Sequence, residues 1–328
     1  MLVKILKYWN DFDILQQTPG GSGEWRGVKF VADQPGEADY VIISGYAGGT
    51  CQVVCPPENV WLFMAEPPNE VHKKWHHPPK WFSRVYTTDD TVVSKRHFLA
   101  RPILPWHVGR SYDFLTSCPK PEKTGQLSWI TSNRSDTVGH IKRLEVIKHL
   151  QQLPELDLYG RGFNPIVDKW DGLAPYRYSV AYENFSNANY WTEKVKDCFL
   201  SWAMPLYYGC TELERFFPKR SFVRINPDAS DLAERVSDII NSNLWQENAD
   251  AIEEARDLVL HKYNFFEFAV QEIENHRSEA KRKKRPITIY NHCMPSNEIE
   301  KSKMSFLVQQ NAPGLYSLLK SYKQGRRP

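Results

Sequence analysis

The chain has 328 residues, of which 41% are hydrophobic and 25% charged, values that exclude a disordered or collagen-like polypeptide and allow two domains with cores of their own. The formal net charge of +3 is unevenly spread. Residues 276–328 hold 12 Lys and Arg against 3 Glu, while residues 1–275 hold 30 basic against 36 acidic side chains, so the body is acidic and no nucleic-acid partner is expected.

No basic-then-apolar leader opens the sequence, and no apolar run approaches the ~20 residues needed to span a bilayer. Six Cys stand at 51, 55, 118, 198, 210 and 293 without a Cys/His partner set for zinc. Reduced thiols and a cytoplasmic location are the expectation.

Along the chain, residues 1–10, 38–46, 59–68 and 81–89 are short apolar runs bounded by Gly, Pro or Asp, and predict buried strands. The Pro-rich, polar stretch 102–125 reads as a linker. Beyond it, strands are predicted at 127–135, 156–160, 176–184, 204–210 and 221–227, with a helix near 141–150. A second helix, TEKVKDCFLSWA, carries Val195, Cys198, Phe199 and Trp202 at i, i+3, i+4 and i+7. Amphipathic helices follow at 231–241 and 244–261. Strand–helix alternation in both halves predicts an α/β protein of two Rossmann-like domains facing a central cleft, residues 1–120 and 121–275, plus a basic tail, 276–328, expected to be partly ordered.

Thr192 is a good N-cap for the helix with the apolar stripe, and it places Glu193 and Lys194 in the first turn. A carboxylate is welcome at that partly positive end, but a lysine is not. Two readings stay open on these grounds: a solvated lysine, or a site where a strong anion such as a diphosphate meets the free N–H groups and the ammonium together.

The segment YRYSVAYENFSNANYWTEK, residues 176–194, resembles the signature of the α-1,3/1,4-fucosyltransferases, glycosyltransferase family ten: Tyr-x-Phe/Tyr, then Glu-Asn, then Tyr-x-Thr-Glu-Lys at fixed spacing. The SNRS loop, the Tyr-Gly-x-Gly turn at 159–162, the PLYYG strand and FFPKRSFVRIN follow in the family's order. The resemblance implies the GT-B fold and an inverting transferase using GDP-fucose without metal or other cofactor. It implies Glu193 on the ribose hydroxyls, Lys194 and Arg143 on the diphosphate, and Asn184 and Tyr190 lining the donor pocket, with Glu183 a further candidate. The family places a general base after an N-domain strand, and Glu66, ending VWLFMAE, matches that position. A glycan acceptor is implied, such as a surface polysaccharide or lipopolysaccharide. The alternatives are the same mechanism with another nucleotide sugar, which the bulk of Phe185 and Trp191 beside the signature suggests, and an inactive binding protein of the same fold.

Other features carry less. Asp11-Phe12-Asp13 follows the first strand too early for a metal-binding Asp-x-Asp and reads as a surface loop. His76-His77 lacks a third ligand at suitable spacing. Gly20, Gly21 and Gly23 read as a flexible loop. The KRKKR run at 281–285 reads as a solvated tail or as a contact with an anionic membrane surface, which would make the protein peripheral at the inner membrane.

Overall fold

The structure, a computed structural model, describes residues 1–34, 36–92, 94–277, 282–293, 308 and 312. The first half contributes β1 (Leu2–Lys7), β2 (Glu24–Trp25), β3 (Val28–Ala32), β4 (Gly36–Glu37), β5 (Tyr40–Ser44), β6 (Cys51–Cys55), β7 (Val60–Phe63), β8 (Arg84–Thr87) and β9 (His97–Leu99). Seven of these build a sheet in the order β2-β3-β1-β5-β7-β8-β9, with every pairing parallel except β2–β3. Every residue of β5 and β7 is buried, which is why both read as unbroken apolar runs rather than alternating ones.

The expected linker contains a short helix, α1 (Tyr112–Ser117), capped by the Ser111 side chain. Much of the rest is packed rather than free, since Ile103, Trp106 and Val108 are buried. The second half supplies β10 (Gly125–Ile130), α2 (Val138–Leu150), β11 (Leu156–Tyr159), β12 (Tyr176–Tyr182), α3 (Glu193–Leu200), β13 (Met204–Tyr208) and β14 (Val223–Arg224). Its strands form an all-parallel sheet in the order β11-β10-β12-β13-β14. The single helix expected over 244–261 is two, α5 (Leu244–Glu247) and α6 (Ala249–Leu260), after α4 (Leu232–Ile240). They part at Asn248, whose amide donates to the Leu244 carbonyl at 2.9 Å and so competes with the helical hydrogen bonds.

The chain then recrosses. α7 (Phe265–His276), for which no helix was predicted, lays Phe265, Phe266, Ala269, Val270 and Ile273 into the core under the first sheet, against Phe30, Trp61 and Phe63. Residues 265–276 therefore pack with the N-terminal sheet, although sequence position assigns them to the second domain. The basic run is likewise docked in part. β15 (Arg285–Ile289) adds antiparallel to β6, the Arg282 guanidinium donates to Asn59, and the Lys284 ammonium meets Glu37 at 2.8 Å and Asp39 at 2.7 Å. Later tail segments, 306–310 and 315–319, lie apart from residue 308 outside the described residues.

Two doubly wound parallel sheets whose carboxyl-end loops meet form the GT-B arrangement. The loops touch directly: Val138 N donates to Glu70 Oε1 at 2.9 Å, and Asn187 Nδ2 to the Thr88 carbonyl at 2.8 Å. Because α7 closes the N-terminal core from the far end of the chain, Phe266→Ala is expected to lower the unfolding free energy of the whole protein by about 3–5 kcal/mol, read from urea unfolding.

Candidate active site

In the second sheet β10 has β11 on one side and β12 on the other, so successive crossovers diverge there and leave a crevice at the carboxyl ends of β10 and β12. Arg143, on α2, spans that crevice. Its Nη1 donates to Asn184 Oδ1 at 2.8 Å, and its Nη2 to the Ser132 and Arg134 carbonyls at 2.9 and 3.3 Å, while Nε has no partner among the described residues. The start of α2 packs so closely on the loop after β12 that a Cβ on Gly139 would lie 1.8 Å from the Asn184 carbonyl oxygen, so only glycine fits. Arg143 is thus a buried brace between two loops, with burial and then neighbouring Arg134 lowering its pKa to about 10.

β12 runs straight into Glu183, which is fully buried. Its carboxylate accepts from Thr192 N at 2.7 Å, from the Thr192 hydroxyl at 2.8 and 2.9 Å, and from Lys194 Nζ at 3.1 Å. Thr192 caps α3 as expected. Lys194 Nζ also meets Glu193 Oε1 at 3.3 Å. Burial lowers the Lys194 pKa, but the Glu183 and Glu193 carboxylates more than offset it and the pKa rises. Burial likewise opposes the ionised form of Glu193, yet Lys194, His107 and Lys169 hold its pKa well below the carboxylate range, whereas burial prevails at Glu183 and raises it. The anion that justifies a lysine at this helix start is, in this structure, the protein's own Glu183.

In the first sheet the equivalent divergence lies between β3 and β5 on either side of β1. Tyr8 follows β1, Tyr46 follows β5, and Glu66 lies three residues after β7. Tyr8 Oη donates to Glu66 Oε1 at 3.4 Å, His72 Nδ1 stands 4.0 Å from Glu66 Oε2, and the Glu66 side chain is 33% exposed. Carboxylates of both domains converge here. The Tyr8 phenol is pushed up by burial, then by Glu66, Tyr46 and Glu193, and that of Tyr190 by burial, then by Glu183, Glu66 and Glu193.

Of the residues the sequence singled out, Arg143, Asn184, Glu183, Glu193 and Lys194 gather at the crevice of the second sheet, and Glu66 stands opposite. Tyr190 is buried at its edge, perpendicular to Phe185 at 5.8 Å. Trp191 is different: it is fully buried among Phe216, Phe217 and Tyr263, with the Arg101 guanidinium 5.0 Å over its ring. Its bulk therefore fills the core and does not shape a sugar pocket. Sequence reasoning missed Tyr8 and Tyr46, and also Asp197, which accepts from His107 N at 2.8 Å and Lys169 Nζ at 3.0 Å and so ties the linker to α3. The signal for Asp197 was a charged residue on a helix that is buried almost all round.

The discounted features behave as ordinary structure. Asp13 caps a short turn, His76 Nδ1 is hydrogen-bonded to the Thr87 hydroxyl, and all six Cys are free. Gly20, Gly21 and Gly23 belong to a tight turn whose Gly20 N–H donates to Asp113 Oδ2 at 2.9 Å. No helix among the described residues is long and apolar enough to cross a membrane.

The family model "Glycosyltransferase family 10 (fucosyltransferase) C-term" matches residues 120–246. Alpha-(1,3)-fucosyltransferase 4 of Bos taurus is 31% identical over 124 residues, 35% of this chain and 30% of its own length. The Homo sapiens 3-galactosyl-N-acetylglucosaminide 4-alpha-L-fucosyltransferase is 25% identical over 173 residues, 51% of this chain and 45% of its own. The chain thus spans less than half the length of these curated relatives. A solved alpha1,3-fucosyltransferase overlays at a TM-score of 0.47 with 17% identity, covering 78% of this chain and 82% of its own. The fold is of the GT-B type, two parallel-sheet α/β units with one cleft between their carboxyl-end loops. Residues 120–246, the stretch similar to the glycosyltransferase family 10 model, hold the whole crevice from Ser132 to Lys194.

Two outcomes follow from the buried charges. Glu183→Ala leaves Lys194 and the Thr192 N–H without their buried acceptor and is expected to cost about 3–5 kcal/mol in urea unfolding. Burial pushes His76 and His140 down from 6.5 to about 4, with Arg143 and Arg134 adding to the effect at His140. A histidine held neutral by the fold contributes stability that is complete above its unfolded value and lost as pH falls below it. The urea midpoint is therefore expected to drop between pH 6.5 and about 4.5, before the carboxylates add their own acid loss, and this slope is expected to flatten in the His76→Gln/His140→Gln variant.

Proposed function

We propose that this protein is an inverting fucosyltransferase that moves fucose from GDP-fucose to a hydroxyl of a glycan, without a metal ion. The observation that carries the proposal is the placement of the family 10 signature, residues 176–194, around the crevice of the second sheet, with Glu66 facing it from the first sheet. In this reading Glu193 holds the ribose hydroxyls, while Asn184 and Tyr190 bound the donor pocket. Lys194, in the first turn of α3 where backbone N–H groups add to it, and Arg143, in the second turn of α2, offer positive charge to the diphosphate. For Arg143 this requires a phosphate oxygen to take over from a loop carbonyl, and its unpartnered Nε is a donor already in hand.

Glu66 removes the proton from the acceptor hydroxyl as that oxygen bonds to the anomeric carbon from the side opposite the diphosphate. The bond from the anomeric carbon to phosphate oxygen breaks, GDP leaves with the electron pair, and Lys194 and Arg143 stabilise the charge that develops on it. Tyr8, donating to Glu66, orients the base. The support is a fixed geometry of the required residue types in a family 10 domain.

Calorimetric titration with GDP, GDP-fucose, GDP-mannose and UDP-glucose in EDTA tests the donor. GDP and GDP-fucose are expected to bind and UDP-glucose not, and preference for UDP-glucose would overturn the donor assignment. Glu66→Ala is expected to lower kcat by at least about 100-fold while GDP affinity changes less than about threefold, because a base acts only in the transition state. Lys194→Ala is expected to weaken both GDP binding and turnover. Full turnover in Glu66→Ala would remove Glu66 as base.

A further inference from the structure

The mechanism uses Glu66 but leaves unexplained the aromatic rings around it. Tyr8 and Tyr46 leave the first sheet at the ends of β1 and β5, the two strands between which its crevice opens. Their rings lie nearly parallel, with centroids 4.0 Å apart and planes 13° from one another. Trp75 stands edge-on to Tyr46 at 5.7 Å and 68°, and His72 packs on Trp75 at 4.4 Å. Tyr8, Tyr46, His72 and Trp75 are all half-buried, unlike the aromatics of the core below them. The turn that carries Tyr46 is built around this pair. Gly45 has φ +74°, and a Cβ there would come within 2.9 Å of the Tyr8 ring, so glycine is what lets Tyr8 lie along the turn.

A rigid, part-exposed aromatic surface edged by a carboxylate and a phenol suits one kind of ligand. A pyranose has a face of C–H groups, which rests on the electron-rich face of a ring, and an equator of hydroxyls, which needs acceptors and donors at the rim. Glu66 and the Tyr8 hydroxyl supply that rim. A diphosphate is disfavoured on the same surface by the Glu66 carboxylate.

We propose that Tyr46, stacked on Tyr8 and braced by Trp75, is the platform for the acceptor's pyranose ring and sets acceptor affinity, presenting one ring hydroxyl to Glu66. The identity of that hydroxyl's partner rests on the reading of Glu66 as base, whereas the platform rests on the ring geometry alone. Tyr46 is a binding residue, and Tyr8, acting through Glu66, is a positioning residue.

The test uses the full chain saturated with GDP, with lacto-N-biose as probe, the 3-galactosyl-N-acetylglucosamine disaccharide for which the human relative is named. Binding is read by saturation-transfer NMR and transfer by acceptor KM and kcat with GDP-fucose. Tyr46→Ala is expected to raise the acceptor Kd and KM about tenfold or more, with GDP affinity close to wild type and urea unfolding still cooperative, while Tyr46→Phe retains acceptor binding. Tyr8→Phe is expected to leave acceptor KM within about threefold yet lower kcat about tenfold, because it removes the donor that orients Glu66. Unchanged saccharide binding in Tyr46→Ala would overturn the platform, and so would a tenfold loss of GDP affinity in that variant, which would assign the rings to the nucleotide. If the wild type transfers no fucose but binds the saccharide, and Tyr46→Ala loses that binding, the platform stands while the transferase reading fails. Absence of saccharide binding by the wild type overturns the platform.

Discussion

A single buried carboxylate fixes the relation between the second sheet and α3, the helix that begins where the segment 176–194 ends. Glu183 ends β12 with no exposure to solvent, and it is held by the Thr192 N–H, the Thr192 hydroxyl and the Lys194 ammonium. A buried charge is tolerated only when its lone pairs are satisfied, so strand end, helix cap and lysine must keep one geometry. That requirement positions Lys194 at the crevice, where its ammonium also meets Glu193 Oε1 at 3.3 Å. Arg143 does a similar job between the loops after β10 and β12, where Gly139 allows the helix start to press on the backbone. Positive charge at the site is therefore held in place by the protein's own structure, which suits the proposed stabilisation of a departing diphosphate.

The two domains contribute unlike surfaces to the cleft. The second sheet presents cations, helix starts and a carboxylate network, which suit a nucleotide. The first presents Glu66 among half-buried rings, which suit a neutral, hydroxyl-rich partner. Their separation follows from topology, because each sheet opens a crevice only where its crossovers diverge, beside β10 and beside β1. The chain ties the halves together more than once: the linker is held to α3 by Asp197 and Lys196, and α7 returns to complete the first core. The tail also returns, through β15 and the pairing of Lys284 with Glu37 and Asp39, so part of its positive charge is spent on the acidic body.

Local signals were legible where local physics decides. The buried parallel strands β1, β5, β7, β8, β10 and β12 appear as apolar runs because both of their faces are covered, and the N-cap at Thr192 appears because hydroxyl chemistry at a helix start is local. The residues that gather at the crevice of the second sheet could be named together because the signature holds most of them within one stretch of 19 residues, with Arg143 in an earlier helix. Edge and short strands such as β2, β4, β6 and β9 lacked such a run and went unseen. So did α7, whose apolar face matters only against a sheet more than 160 residues earlier.

The sequence by itself determined the two-sheet α/β class and singled out Arg143, Asn184, Glu193, Lys194 and Glu66, since each reading depends on side-chain type at short spacing. Only the tertiary structure decided which groups share a space. It brought Tyr8 and Tyr46 to Glu66 from three separate strand ends, took Trp191 out of the cleft and into the core, gave Lys194 an internal counter-ion, and returned α7 and β15 to the first domain. The reason is physical: burial, charge pairing and ring stacking act between groups near in space, and sequence separation constrains that proximity only within a turn or two of chain.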